Sequence, residues 1–304
     1  MALVESERGP SAVIEATPGA SDTAVSNDSG VAADGGQLDD VATLLRGRRL
    51  VVLTGAGVST DSGIPDYRGQ GAPKRNPMTF DQFLSNGDYR KRYWAGSHLG
   101  WKLFDAARPN AGHAILADME NAGIVSGVIT QNVDGLHVRA GSNRVVDLHG
   151  SMDRVRCLRC GQMYARASVA EQIDSANPWI TEPDAVTVNP DGDADVHNWA
   201  EFIVPACTVC RGTLKPDVVF FGEFIPKERF GEASDLLRSS EALVIAGSSL
   251  VVNSGIRLLE QARRKKLPVV IINRGVTKGD SRATIKLDAG TTETLTALAE
   301  RLLP

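Results

Sequence analysis

The stretch Leu50-Val51-Val52-Leu53-Thr54-Gly55-Ala56-Gly57-Val58-Ser59 reads as a short buried strand that glycines break at once. Glycine lets the chain turn sharply and lets a phosphate approach the backbone. A helix beginning just after the turn would present free N–H groups to that anion. A plain strand-to-helix turn explains Gly-x-Gly equally well. The third glycine of the dehydrogenase fingerprint is missing, since Thr60 stands in its place, which argues against hydride transfer.

Similar apolar runs follow at Val125–Thr130, Ala242–Ala246 and Val269–Ile272, with helical patterns between them at Glu232–Leu237 and Gly255–Lys266. Buried strands alternating with helices predict an α/β fold, a doubly wound parallel sheet of Rossmann-like type. Upstream, Leu38, Val41, Leu44 and Leu45 recur at helix spacing. The first 36 residues are rich in Ala, Ser, Gly and Asp and poor in large apolar side chains, so residues 1–36 read as a disordered tail. The segment 154–215 interrupts the strand–helix rhythm with four cysteines and the polar run Asn189-Pro190-Asp191-Gly192-Asp193. It reads as a small inserted zinc-binding module, leaving 37–153 and 216–304 as the Rossmann-like domain.

The 304 residues carry a net charge of only -4. Nothing in that balance marks a nucleic-acid or membrane-surface binder, and no apolar run approaches the roughly 18 residues that span a bilayer. No signal or transit segment is legible, so the expected location is cytoplasmic, and the chain is expected to be a monomer.

Thr130-Gln131-Asn132-Val133-Asp134 begins where an apolar run ends. In an open parallel sheet, ligands bind beyond the carboxyl ends of the strands, so Gln131, Asn132 and Asp134 are placed to meet one. An amide and a carboxylate suit a carboxamide such as nicotinamide, though a polar turn would use the same residues. Gly63-Ile64-Pro65-Asp66-Tyr67-Arg68 joins an acid, a ring and a base in a glycine-punctuated loop, which fits a cofactor cover or a simple ion pair. His149 ends another apolar stretch and can serve as a general base near neutral pH; a hydrogen-bonded core histidine is the plainer reading. His98, His113, His137 and His197 have no comparable setting. Cys157-x-x-Cys160 and Cys207-x-x-Cys210 leave no cysteine over. Four thiolates suit a closed tetrahedral zinc site with no place for substrate, hence a structural Zn2+ at Cys157, Cys160, Cys207 and Cys210. Two extended apolar edges, Val218–Gly222 and Ser249–Asn253, could each pair with a peptide backbone by strand addition.

Taken together and in order, these motifs resemble the sirtuin family: Gly55-Ala56-Gly57-Val58-Ser59, Gly63–Arg68, Thr130–Asp134, His149-Gly150, the cysteine pairs, Lys215-Pro216-Asp217-Val218-Val219-Phe220-Phe221-Gly222-Glu223, Gly247-Ser248-Ser249-Leu250 and Asn273. The resemblance runs from about Gly36 to the end. Arg92-Tyr93-Trp94-Ala95, Gly100-Trp101 and the long insert before Cys207 look most like the class II branch.

The resemblance implies an NAD-dependent protein lysine deacylase. NAD would contact Gly55, Ala56, Gly57, Asp66, Tyr67, Arg68, Gln131, Asn132, Asp134, Gly247, Ser248, Ser249, Asn273, Arg274, Gly275 and Thr291. The acyl oxygen of an acyl-lysine protein substrate, lying against Val219, Phe220, Gly222, Leu250 and Val251, would attack the ribose and expel nicotinamide. His149 would then take a proton from a ribose hydroxyl, with Asn132 and Asp134 holding the nicotinamide, and the products would be lysine and O-acyl-ADP-ribose. Mono-ADP-ribosyl transfer from the same NAD site is the alternative. Gly96 stands where some class II chains have Arg, and Tyr89 and Arg92 read as one face of an exposed helix, so no strong preference for succinyl-lysine is expected.

Overall fold

The computed structural model describes residues 33–66, 77–180, 196 and 198–304. The predicted tail up to residue 32, Tyr67, Arg68, and the Asn189–Asp193 run lie outside the described residues.

One sheet contains β1 (Leu50–Thr54), β2 (Val125–Thr130), β3 (Val145–Asp147), β7 (Ala242–Ala246), β8 (Val269–Ile272) and β9 (Ile285–Leu287). Its order is β3-β2-β1-β7-β8-β9, and every neighbouring pair is parallel. A smaller antiparallel sheet orders β4 (Gly150–Cys157), β5 (Met163–Ala165) and β6 (Leu214–Val218) as β5-β4-β6. This is the expected fold class.

All residues of β1, β7 and β8 are buried, because helices cover both faces of a sheet joined by crossovers. Side chains alternate across the sheet. Val52, Val244 and Val270 meet Leu38, Val41, Leu45, Leu116, Leu295 and Leu298 on one side. Val51, Leu53, Leu243 and Ile245 meet Leu236, Leu258 and Leu259 on the other. Each such burial contributes about 1.5–3 kcal/mol. The first helix spans Gly35–Leu45, so it begins two residues inside the expected tail.

The α-helix expected directly after the Gly-rich turn is absent. Two 3-10 turns, Ala56–Val58 and Thr60–Ser62, stand there, ended by Gly63 at φ +81°. The physical reason is a tether: the Gly57 N–H donates to the Gly247 carbonyl at 2.9 Å, which pins the turn to the loop after β7.

The small sheet packs Met152, Val155, Val169, Ile173, Phe202 and Leu214 around an aromatic group from elsewhere in the chain. Phe83, Tyr93 and Phe220 meet edge-on or tilted, with ring centroids 4.8–5.4 Å apart. Phe83 and Tyr93 arrive on two helices with good starts, and Phe220 follows β6. Phe80–Ser85 opens on a Thr79/Gln82 capping box, and the Asn86 side chain caps Gly87–Ala106. The buried Arg166 lies over both Trp94 and Trp101 and donates to the Ser97 carbonyl at 2.8 Å. No helix among the described residues is long and apolar enough to cross a membrane.

Candidate functional site

The strand order reverses between β1 and β7, so a crevice opens outside their carboxyl ends. Gly55, Gly57 and Gly247 line it. A Cβ on Gly247, which has φ +63°, would stand 2.5 Å from the Val58 nitrogen, and one on Gly55 would stand 2.7 Å from the Gly247 carbonyl. These glycines are therefore required by the contact of the two loops themselves, besides any phosphate they admit.

At one end of the crevice lies a buried polar cluster. Asn132 donates from Nδ2 to the Gly55 carbonyl at 3.1 Å and to Ser59 Oγ at 3.0 Å. Ser59 in turn donates to Asp134 Oδ2 at 2.7 Å, and the Leu136 N–H fills Oδ1 at 2.9 Å. His113 Nε2 sits 3.4 Å from Ser59 Oγ, and its ring lies 4.7 Å from that of His137, which bonds Thr54 Oγ1 at 2.9 Å. Burial depresses His113 below the ordinary histidine value and brings His137 to about 3, so His137 is neutral. Ser59 and His113 escaped the sequence reading as site residues. The Asn110-x-x-His113 capping box at the start of Ala111–Asn121 is the local signal that marks the second of them.

His149 follows β3 and precedes β4, at the junction of the two sheets. Its Nδ1 lies 2.9 Å from the Gln131 carbonyl, which can only accept, so in the neutral ring Nδ1 carries the hydrogen. Nε2 then has a free lone pair, and Ser254 Oγ donates to it at 2.9 Å. Burial lowers the His149 pKa, against the opposing pull of the Gln131 carbonyl, so the ring is a neutral base at pH 7. Gln131 also accepts from Ser248 at 2.6 Å.

Towards the other end, Thr291 donates to the Gly57 carbonyl at 3.0 Å, and the Gly275 N–H donates to Asp288 at 2.8 Å. Asn273 Nδ2 donates to the Arg274 carbonyl at 2.6 Å; Arg274 is exposed and Ser249 half-buried. Ala56 and Asp66 are half-buried.

The two expected peptide edges are less open than the sequence suggests. The Val219 N–H donates to the His149 carbonyl at 2.7 Å, the Phe220 N–H to Glu223 at 2.9 Å, and the Phe221 carbonyl accepts from Phe80. The Phe220 side chain belongs to the aromatic core, whereas Phe221 is 45% exposed and Gly222 is exposed. The second edge is not continuously extended: Leu250 adopts φ +56° with its side chain buried against Gly255 and Gly279. That side chain needs the apolar pocket, and the backbone turns to deliver it. Val251 is half-buried. Tyr89 and Arg92 lie on Gly87–Ala106, with Arg92 exposed.

The four cysteine sulfurs lie within 4.8 Å of one another, with Cys157–Cys210 at 3.5 Å and Cys160–Cys207 at 3.7 Å. A tetrahedral ion with 2.3 Å bonds to sulfur holds its ligands about 3.8 Å apart. Desolvation works to raise the Cys207 thiol, yet the Tyr164 hydroxyl and the Cys210 and Val209 N–H groups bring it down to about 6. The cluster is consistent with a structural zinc.

A family model described as the Sir2 family matches residues 55–254. An NAD-dependent protein deacetylase 1 from Mycobacterium avium (strain 104) is 50% identical over 269 residues, covering 87% of this chain and 95% of that protein. One of the same description from Streptomyces coelicolor is 48% identical, covering 87% and 90%. Among solved structures, a Sir2 complex with a p53 peptide and NAD+ superposes with a TM-score of 0.68 at 32% identity, over 86% of this chain and 97% of the other. Sir2Tm bound to a propionylated peptide gives 0.69, also at 32% identity and with the same coverage.

Proposed function

The chain belongs to the Sir2 family and is an NAD-dependent protein deacetylase, and from that premise we propose that His149 is its general base and the β1/β7 crevice its NAD site. The observation that carries the assignment is the tautomer of His149. The Gln131 carbonyl holds Nδ1–H, which leaves Nε2 as a proton acceptor facing a hydroxyl.

NAD supplies the ribose carbon that the acetyl oxygen attacks as nicotinamide leaves. The residues proposed to hold it are those of the three crevice loops: Gly55, Ala56, Gly57 and Asp66 after β1, Gln131, Asn132 and Asp134 after β2, and Gly247, Ser248 and Ser249 after β7. Asn273, Arg274, Gly275 and Thr291 complete the adenosine side. Asp134 acts through geometry: both its oxygens are committed, to Ser59 and Leu136, so it orients Ser59 and the turn around Asn132. Asn132 donates to two oxygens within the crevice and exchanges one of them for a carboxamide oxygen. His149 Nε2 takes the proton of a ribose hydroxyl, and the resulting imidazolium keeps Nδ1–H on the Gln131 carbonyl.

The substrate is an acyl-lysine segment of a protein, laid beside Val219, Gly222 and the exposed Phe221 on one side and Val251 on the other. Support comes from the acetylated and p53 peptides bound by similar structures. Phe220 and Leu250 serve there as buried anchors. The class II affiliation rests on the Arg92–Ala95 and Gly100-Trp101 residues, and Gly96, standing where some class II chains have Arg, supports the absence of a strong preference for succinyl groups. We further propose a cytoplasmic monomer that engages neither nucleic acid nor membrane, divided into a zinc unit at 154–215 and a cofactor unit at 37–153 and 216–304.

The test is nicotinamide release from NAD with an acetyl-lysine peptide. Wild type should yield nicotinamide, free lysine and O-acetyl-ADP-ribose, and His149→Ala should lose the last two by about a hundredfold or more. ADP-ribosylated protein in place of free lysine would identify the transferase alternative.

A further inference from the structure

We propose that Ser254 is a positioning residue for His149: its hydroxyl ends a directed hydrogen-bond chain from the loop after β7, holds the imidazole, and gives way to the substrate hydroxyl. This rests on His149 being the general base.

The chain has four links. The Leu250 N–H donates to Ser248 Oγ at 3.3 Å, and Ser248 donates to Gln131 Oε1 at 2.6 Å. Gln131 Nε2 donates to Ser254 Oγ at 3.5 Å, and Ser254 donates to His149 Nε2 at 2.9 Å. Both ends set the direction. A backbone N–H can only donate, and Nε2 can only accept while Nδ1–H is given to the Gln131 carbonyl. Gln131 therefore grips His149 twice, directly through its carbonyl and indirectly through its amide and Ser254.

The surroundings are shaped for this contact. Ser254 is 4% exposed, in the first turn of the helix Asn253–Arg264. The next residue must be small: a Cβ on Gly255 would stand 3.2 Å from Gln131 Nε2 and 2.8 Å from Leu250 Cδ2. Leu250 itself pays for its buried side chain with a left-handed backbone, the kind of strain that persists where surroundings over-determine it. The reacting hydroxyl replaces the Ser254 hydrogen at Nε2 and transfers its own proton there, keeping its electron pair for the acyl carbon. The imidazole meanwhile stays fixed through Nδ1.

A base that acts only after nicotinamide has left gives the role a distinctive signature. Ser254→Ala should slow formation of deacetylated peptide about tenfold. Peptide-dependent exchange of labelled nicotinamide into NAD should stay within about twofold of wild type, since that step needs no base. Ser254→Cys, of similar shape but a weak donor, should follow Ala, while Ser254→Thr, which keeps the hydroxyl, should retain most product formation. In the cofactor-free protein, the 15N resonance of His149 Nε2 should move in the Ala and Cys variants towards that of a lone pair without a donor. Exchange and product formation falling together, or an unmoved Nε2 resonance, would overturn the proposal. Retained product formation in His149→Ala would instead overturn the base assignment, and the Nε2 resonance would still report the contact.

Discussion

The two sheets of this molecule hold together by different means. The parallel sheet buries its central strands β1, β7 and β8 completely between helical layers, and its polar groups are confined to the loops at the strand ends. The antiparallel sheet has a strand, β5, with no buried residue and a short core completed by aromatic rings from two distant helices and by the cysteine cluster. The first is stable through apolar area; the second is small enough to need a staple. His149 lies where the two meet. The Leu148 N–H bonds the Thr130 carbonyl in the large sheet, while the His149 carbonyl receives the Val219 N–H beside the small one. The placement of His149, the proposed base, thus depends on both kinds of stabilisation at once.

Removing the staple is the strongest way to break this comparison. Cys160→Ser with Cys207→Ser, or treatment with a zinc chelator, should cost at least about tenfold in deacetylation. Hydrogen exchange should then show lost protection in β4, β5 and β6 with retained protection in β1, β7 and β8. Protection lost equally in both sheets would mean that they form one cooperative unit.

A change in the loop at the end of the large sheet should act in the opposite sense. Gly247→Ala places a Cβ 2.5 Å from the Val58 nitrogen on a left-handed backbone, which costs about 2–4 kcal/mol. A lower Tm with a raised KM for NAD is expected, while the zinc content stays unchanged. An unaltered Tm would show that the two crevice loops are not rigidly opposed.

The mildest probe is pH. His98, His113, His137 and His149 all have folded pKa values below the ordinary 6.5, chiefly through burial, with His137 at about 3. Between those values the unfolded chain binds protons that the folded chain refuses. Stability is therefore complete above about pH 6.5 and declines as pH falls towards 3. His113 and His137 sit on helices beside the strand-end cluster and His149 follows β3, so hydrogen exchange compared between pH 7 and about 5 should show the decline there first. A flat profile from pH 7 to about 5 would contradict the burial of these rings.

Much of this was legible in the chain. The runs Val125–Thr130, Ala242–Ala246 and Val269–Ile272 coincide with β2, β7 and β8, because continuous burial leaves a continuous apolar run. The cysteine pairs announced their cluster because each pair is a local knuckle with its ligands three residues apart. Other features were hidden. The local sequence predicts a helix after the β1 turn because the tether to Gly247 belongs to a distant loop. The local sequence predicts an extended Ser249–Asn253 edge because nothing local reveals that Leu250 must turn inward to fill the space beside Gly255 and Gly279.

The sequence alone determined the places of the buried strands, the identity of the clustered cysteines and the presence of a histidine beside a polar strand end, since each of these is written in neighbouring residues. Only the tertiary structure decided which tautomer His149 adopts and what holds its free nitrogen. Gln131 is 18 positions away from His149 and Ser254 is 105 positions away, and a hydrogen bond is fixed by distances of about 3 Å in space, which spacing along the chain does not encode.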